Sequence, residues 1–163
     1  MIVRLETQAD VAGIRDVETQ AFPTAAEADL VDRLREDASA VFSLVAVQAE
    51  SVIGHAMFSR MQAPDRSLGL GPVAVAAAHR RLGVAAKLIG DGLMRARAEG
   101  WAGVFVLGDA AYYSRFGFDA ALAAGFVSPY AGPHLMALAL QPAGLPVRTG
   151  PLHYAPAFAG LDS

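Results

Sequence analysis

The 163-residue chain contains no cysteine. Disulfides, thiolate metal sites and a cysteine-linked covalent intermediate are therefore excluded. Charge is sparse: 18% of residues are charged against 54% hydrophobic, which excludes a disordered chain. Lys and Arg number 13 against 16 Asp and Glu, a formal net charge of −3 that argues against a general nucleic-acid binder. No apolar run reaches the roughly 18 residues that span a bilayer, and no basic segment precedes an apolar one at the N-terminus. A cytoplasmic protein that engages neither membrane nor nucleic acid is expected. The four histidines, His55, His79, His134 and His153, show no i,i+3 or i,i+4 spacing, so no metal site is expected. A Gly-x-x-x-x-Gly-Lys-Ser/Thr loop is also missing, which argues against a nucleotide hydrolase.

The length fits one domain over residues 1–163, with a core to residue 141 and a Pro- and Gly-rich tail over 142–163. Ile2 to Leu5 reads as a first strand. Val11, Ile14, Val17 and Ala21 share one helical face over Ala9 to Ala21, with Thr7 or Asp10 as caps. A second short helix follows over Glu27 to Glu36. Phe42 to Val47 and Val52 to Phe58 form an antiparallel hairpin. Leu68 to Ala76 is β-like yet holds Gly69, Gly71 and Pro72, which predicts a bulge or splay. Val84 to Glu99 is the clearest helix, with Val84, Leu88, Ile89, Gly92, Leu93 and Ala96 inward and Gly100 as its stop. A strand over Val104 to Leu107 makes a right-handed parallel crossover. Ala110 to Phe116 reads as a short helix ended by Gly117, Leu135 to Leu140 as a strand, and His153 to Phe158 as a last edge strand.

The most informative stretch is Val73-Ala74-Val75-Ala76-Ala77-Ala78-His79-Arg80-Arg81-Leu82-Gly83-Val84-Ala85-Ala86. A strand runs into an Arg- and Gly-containing turn that opens directly into a helix. The first turn of a helix leaves its amides without intrahelical partners, and with the helix dipole these bind anions. Gly83 admits a phosphate close to the backbone, Ala85 is nearly as small, and Arg80 and Arg81 add positive charge. A pyrophosphate-bearing cofactor is the sharpest reading; a surface turn with two solvated arginines is the alternative. Gly69-Leu70-Gly71-Pro72-Val73-Ala74 also fits a dinucleotide-binding pattern, but it continues as a strand instead of opening a helix, and it is rejected.

Arg80-Arg81-Leu82-Gly83-Val84-Ala85 resembles the acyl-CoA signature Gln/Arg-x-x-Gly-x-Gly/Ala of the GNAT acetyltransferase superfamily. Tyr113-Ser114-Arg115-Phe116-Gly117-Phe118 resembles that family's Tyr-x-x-x-Gly-Phe. Residues 107–118 and the ending Tyr154-Ala155-Pro156-Ala157-Phe158 are similar to the YhbS-like subgroup of bacterial predicted N-acetyltransferases. The element order agrees over residues 1 to 141.

The resemblance implies an α/β (α+β) fold with a strongly twisted mixed sheet, a splayed bulged strand and about four helices. It implies acetyl-CoA as co-substrate, its pyrophosphate on the amides of Arg81, Leu82, Gly83, Val84, Ala85 and Ala86. The pantetheine arm would follow the edge of the bulged strand at Val73, Ala74 and Val75, with Ser114 as a further contact. A backbone N–H of Val73 or Val75 would polarise the thioester carbonyl. Tyr113 is the expected general acid, since a phenol of pKa about 10 is protonated at pH 7. Tyr112 lies one residue out of register, and a core role is the competing reading of Tyr113. For the general base His55 and Glu27 are candidates, as is a chain of waters; His79 is better placed for solvent or phosphate. The acceptor is a small-molecule amine or a protein amine, and the apolar tail leaves a homodimer open. A non-catalytic acyl-CoA sensor or scaffold is the alternative function.

Overall fold

A computed structural model describes residues Met1 to Asp162. Its strands are β1 (Ile2–Leu5), β2 (Ala40–Gln48), β3 (Ser51–Arg60), β4 (Ser67–Val75), β5 (Gly103–Leu107), β6 (Phe126–Val127), β7 (Leu135–Ala139) and β8 (Gly150–Pro151). Its helices are α1 (Val11–Ala21), α2 (Ala26–Glu36), α3 (Val84–Ala98), α4 (Ala110–Tyr113) and α5 (Ala120–Ala123). Six strands form one sheet in the order β1-β2-β3-β4-β5-β7, and β6 pairs with β8. The sheet is mixed: β1–β2 and β5–β7 are antiparallel, whereas β4–β5 is parallel across the α3 crossover. This is the expected α/β class.

The chain divides into two compact units. The first comprises Met1–Phe58, Pro72–Gly92 and the residues from Pro156; the second comprises Ser59–Gly71 and Leu93–Ala155. Within the first, the apolar stripe of α1 buries Ile14 and Val17, and α2 buries Ala28, Leu30, Val31 and Leu34. Arg15 of α1 bridges Asp29 and Asp32 of α2, both at 2.8 Å. The β2–β3 hairpin turns on Ala49 and Glu50, whose φ angles of 51° and 66° are those a two-residue turn needs. Two missing side chains let α3 approach β3. A Cβ on Gly54 would lie 2.8 Å from Val84 and one on Gly92 only 2.1 Å from Phe58, where something would have to move.

Ahead of α1, Thr7 and Asp10 close the entry turn. The Thr7 amide donates to the Asp10 carboxylate at 2.7 Å, and Arg4 adds two bonds at 2.6 and 3.0 Å. The Arg4 bonds, helped by Thr7, hold the Asp10 carboxyl down at about 2, against the desolvation that would raise it. A depressed carboxylate stabilises the fold above its unfolded pKa near 3.8, and that contribution fades as pH falls towards 2. Because the Arg4 side chain stays 40% exposed, screening limits the gain to about 1 kcal/mol. Asp10→Asn should therefore unfold more easily in urea than the parent at pH 6, with the gap narrowed, though not closed, at pH 2.5. An unchanged gap at both pH values would contradict this.

In the second unit Phe105 of β5 is fully buried and meets Phe126 edge-on at 5.2 Å. Gly69 of β4 gives room to Tyr154, whose ring would stand 2.7 Å from a Cβ there. The expected edge strand over His153–Phe158 does not form. His153 makes one isolated bridge to Ala63, and Pro156–Asp162 is a 3-10 helix. Pro151 and Pro156 lack the amides a longer ladder requires. Among the described residues no helix is long and apolar enough to cross a membrane, and no three His, Asp or Glu side chains converge to hold a metal ion.

Candidate active site

The parallel pairing of β4 with β5 runs from Ser67↔Gly103 to Leu70↔Val106, whereas β4 itself continues to Val75. The last registered pair falls immediately before Gly71 and Pro72. Gly71 has φ +148°, with nothing within 4 Å of where a Cβ would stand, and Pro72 has no amide to donate. Beyond them Ala74 is buried towards Gly54, while Val73 and Val75 are half-buried. The Ala76 amide donates to Ile53 of β3 at 2.8 Å.

A 3-10 turn over Ala77–His79 leads into the loop before α3. Arg81 adopts φ 63° and Gly83 φ 82°, so the backbone winds left-handed twice within three residues. The first bond closing into α3 is Lys87 N–H to Gly83 C=O at 3.1 Å, so the amides of Val84, Ala85 and Ala86 precede it. Arg80, Arg81, Leu82 and Gly83 are exposed, and nothing lies within 4 Å of a Cβ built on Gly83. Arg80 Nε reaches back to the Val75 carbonyl at 3.2 Å, tying the loop to the end of β4. The residues expected to bind the anion thus follow one another in the first unit, from the exposed loop over Arg80 to Gly83 into the first turn of α3, where Val84 is buried.

Tyr113 and Ser114 lie in the second unit, at the junction of α4 with a 3-10 turn that ends at Gly117 (φ +96°). Tyr113 packs over Gly108, where a Cβ would come within 2.4 Å of the ring, and meets Tyr112 and Phe118 edge-on at 5.1 and 5.8 Å. Burial, then the neighbouring Tyr112, pushes its phenol up to about 12. The hydroxyl is protonated at neutral pH but is a weaker acid than an unperturbed tyrosine. Ser114 is exposed, and its Oγ donates to the Ala111 carbonyl at 3.2 Å. Tyr112 instead stacks against the Arg115 guanidinium, 4.2 Å from the ring centroid. In the same unit α5 lines a pocket of about 400 Å³ with Ala131, Gly132, Pro133 and Leu135.

One cluster in the first unit goes beyond the sequence expectations. His55 is fully buried on β3; its Nδ1 lies 2.7 Å from Glu18 Oε2 and its Nε2 2.8 Å from Ser43 Oγ. Glu18 on α1 is fully buried, and its second oxygen, Oε1, has no hydrogen-bond partner. Burial raises the Glu18 carboxyl above the usual carboxylate range, the His55 bond and charge oppose this, and the charge of Glu27 adds to it. Sequence reasoning named His55 and Glu27 but missed Glu18. The available signal was a carboxylate four residues after Ile14, on the stripe α1 turns to the core.

The model of the Acetyltransferase (GNAT) family matches residues 11–118. The chain belongs to the GNAT acetyltransferase family. It is 40% identical over 125 residues to the uncharacterized N-acetyltransferase YhbS of Escherichia coli K12, covering 74% of this chain and 75% of that protein. The crystal structure of Escherichia coli YhbS in complex with CoA superposes with a TM-score of 0.90 at 35% identity, over 97% of this chain and 91% of that one. A GNAT acetyltransferase from Brucella melitensis in complex with acetyl-CoA superposes with a TM-score of 0.80 at 34% identity, over 96% and 97%. In this GNAT chain Arg80–Ala85 runs into the start of α3, and Tyr113–Phe118 runs from the last residue of α4 through the 3-10 turn that follows it.

Proposed function

We propose that residues 1–163 act as one N-acetyltransferase domain that moves an acetyl group from acetyl-CoA to a primary amine by direct attack. The observation that carries this reading is the loop at Gly83, where open backbone, unpaired helix-entry amides and two arginines meet. Those features fit a pyrophosphate: the amides of Arg81 to Ala86 hold it, and Gly83 leaves it room. The edge of β4 at Val73, Ala74 and Val75, past its last pair with β5, receives the pantetheine arm, and an amide of Val73 or Val75 polarises the thioester carbonyl. The CoA-bound YhbS and the acetyl-CoA-bound Brucella protein support this assignment by likeness. Isothermal titration with CoA and acetyl-CoA tests it, followed by thiol release over a panel of small amines and peptide amines. Absence of heat with both ligands would falsify the reading.

Tyr113 is assigned to the departing sulfur. A thiol has a pKa of about 8.5, so full proton transfer from a phenol held at about 12 is uphill. The hydroxyl therefore donates a hydrogen bond to the thiolate while solvent completes the protonation. Tyr113→Phe should lower kcat by about 100-fold, the lower end for losing one hydrogen-bond donor to a developing anion, and leave acetyl-CoA affinity within about twofold. Unchanged turnover would return Tyr113 to a packing role.

A further inference from the structure

Acetyl transfer requires the acceptor amine to lose a proton, and the residues assigned above supply no base. We infer that Glu18 takes that proton on Oε1, with Glu27 drawing in the acceptor's ammonium and the His55–Ser43 pair positioning Glu18. The inference rests on the transferase reading and adds a substrate class: an acceptor that arrives as a cation.

Three observations converge within the first unit. A carboxylate can accept about four hydrogen bonds, yet the Oε1 of Glu18 is buried and accepts none. An ionised oxygen in that state is unfavourable unless a donor comes to it, and an ammonium is such a donor. The other oxygen is fixed by His55, and His55 is fixed in turn by Ser43, so rotation of the carboxyl is restrained from behind. This is the arrangement by which an imidazole is oriented in hydrolytic triads, here turned round to orient a carboxylate.

The neighbourhood is also appropriate. Glu18 stands three residues before the end of α1, next to the loop over Phe22 to Ala25. Glu27 follows in the first turn of α2, half-buried, and its charge is felt at Glu18. His55 belongs to β3, whose Ile53 carbonyl accepts from Ala76 and whose Gly54 abuts Ala74, the part of β4 assigned to the thioester arm. The groups that face Glu18 are thus His55 from β3 and Glu27 from α2, with Ser43 of β2 behind the ring. Ser43 also lines a surface pocket of about 240 Å³ with Glu6 and Arg35, which are paired to each other at 2.9 Å.

The proton balance is simple. The ammonium N–H bond breaks, a bond forms to Glu18 Oε1, and the carboxylate becomes a neutral acid. The freed amine attacks the thioester carbonyl, the C–S bond breaks, and the attacking nitrogen gives up a second proton while the sulfur gains one. Glu18 then returns its own proton to solvent, so one proton is released per acetyl group moved.

Turnover, acetyl-CoA affinity and melting temperature of the full chain are measured for the parent, E18Q, H55Q and E27Q. E18Q should lose kcat by about 100-fold or more with acetyl-CoA affinity within about twofold. Because the His55 bond lowers the Glu18 carboxyl, H55Q should move the acidic limb of the pH–kcat profile to higher pH, a change that simple loosening of the core does not produce. E27Q, on the half-buried first turn of α2, should raise KM for a diamine more than for a neutral-tailed amine. Should E18Q or H55Q fail to fold, S43A carries the second arm, with a limb shift in the same direction. E18Q turnover within threefold of the parent overturns the inference, as does an unmoved limb in H55Q or S43A. A parent that binds acetyl-CoA but releases no thiol with any amine instead removes the transferase reading, and this inference with it.

Discussion

Gly83→Leu should bind CoA at least about 100-fold more weakly than the parent and still melt within a few degrees of it. Two effects combine. The residue holds φ +82°, a conformation that costs an L-residue roughly 1–2 kcal/mol, so the loop shifts away from its amide-presenting geometry. The new side chain also takes up the open space at Gly83, which the phosphate would otherwise use. Hydrogen bonds to a charged group are worth about 1.5–3 kcal/mol each, so losing one or two accounts for the 100-fold. Nothing lies within 4 Å of the Cβ position, so the core is untouched and the melting temperature is spared. Titration calorimetry reads the affinity, and normal binding by a folded Gly83→Leu chain would show that the phosphates lie elsewhere.

The largest stability loss is expected at Gly92→Ala, one methyl group added where α3 meets β3. The new Cβ would lie 2.1 and 2.4 Å from the Phe58 ring, which is itself fully buried and packed edge-on against Phe42 at 6.4 Å. Helix propensity favours Ala over Gly by about 1 kcal/mol, so on an exposed face this change would stabilise. Here overpacking of about 3 kcal/mol or more wins, because the ring has no free volume to enter. The net loss of about 2 kcal/mol corresponds to a fall of about 4–8 °C in Tm for a chain of this length. Phe58→Leu is destabilising on its own yet should recover part of that loss in the double variant, a coupling that a double-mutant cycle measures. Additive losses would mean that α3 relieves the clash by moving as a body.

The same two glycines show which parts of the structure could be read from the sequence. Gly92 appeared there as one more inward position of α3, and all six inward positions are buried. Period alone gives a face; it cannot say that the face meets a ring closely enough to exclude a methyl group. The β2–β3 hairpin, the end of the β4–β5 pairing ahead of Pro72 and the parallel crossover were legible because alternation, Pro72 and the α3 stripe are local signals. The short helix α5 was missed although Asp119 caps it through the Ala121 amide at 2.9 Å, since four residues carry too little periodicity to register. The strand expected near His153 failed for the opposite reason: β-type side chains were present but the prolines remove the donors.

Within the candidate site, the Gly83 loop was visible because its chemistry is backbone chemistry and is written in small residues. Glu18 was not visible because its partner lies 37 positions away on β3, and only the fold brings the carboxylate and the ring together. Tyr113 was visible as a phenol in the right motif, but not the elevated pKa, which comes from its packing over Gly108 and beside Tyr112.

The loop before α3 joins two kinds of attraction that respond differently to dissolved ions. Arg80 and Arg81 are exposed monopoles on a chain of net charge −3, so their pull on an anionic ligand fades over the roughly 10 Å Debye length of 0.1 M salt. The helix-entry amides are short-range dipoles, beyond the reach of a screening atmosphere once the ligand has docked. Raising the ionic strength should therefore slow arrival at this loop more than it hastens departure.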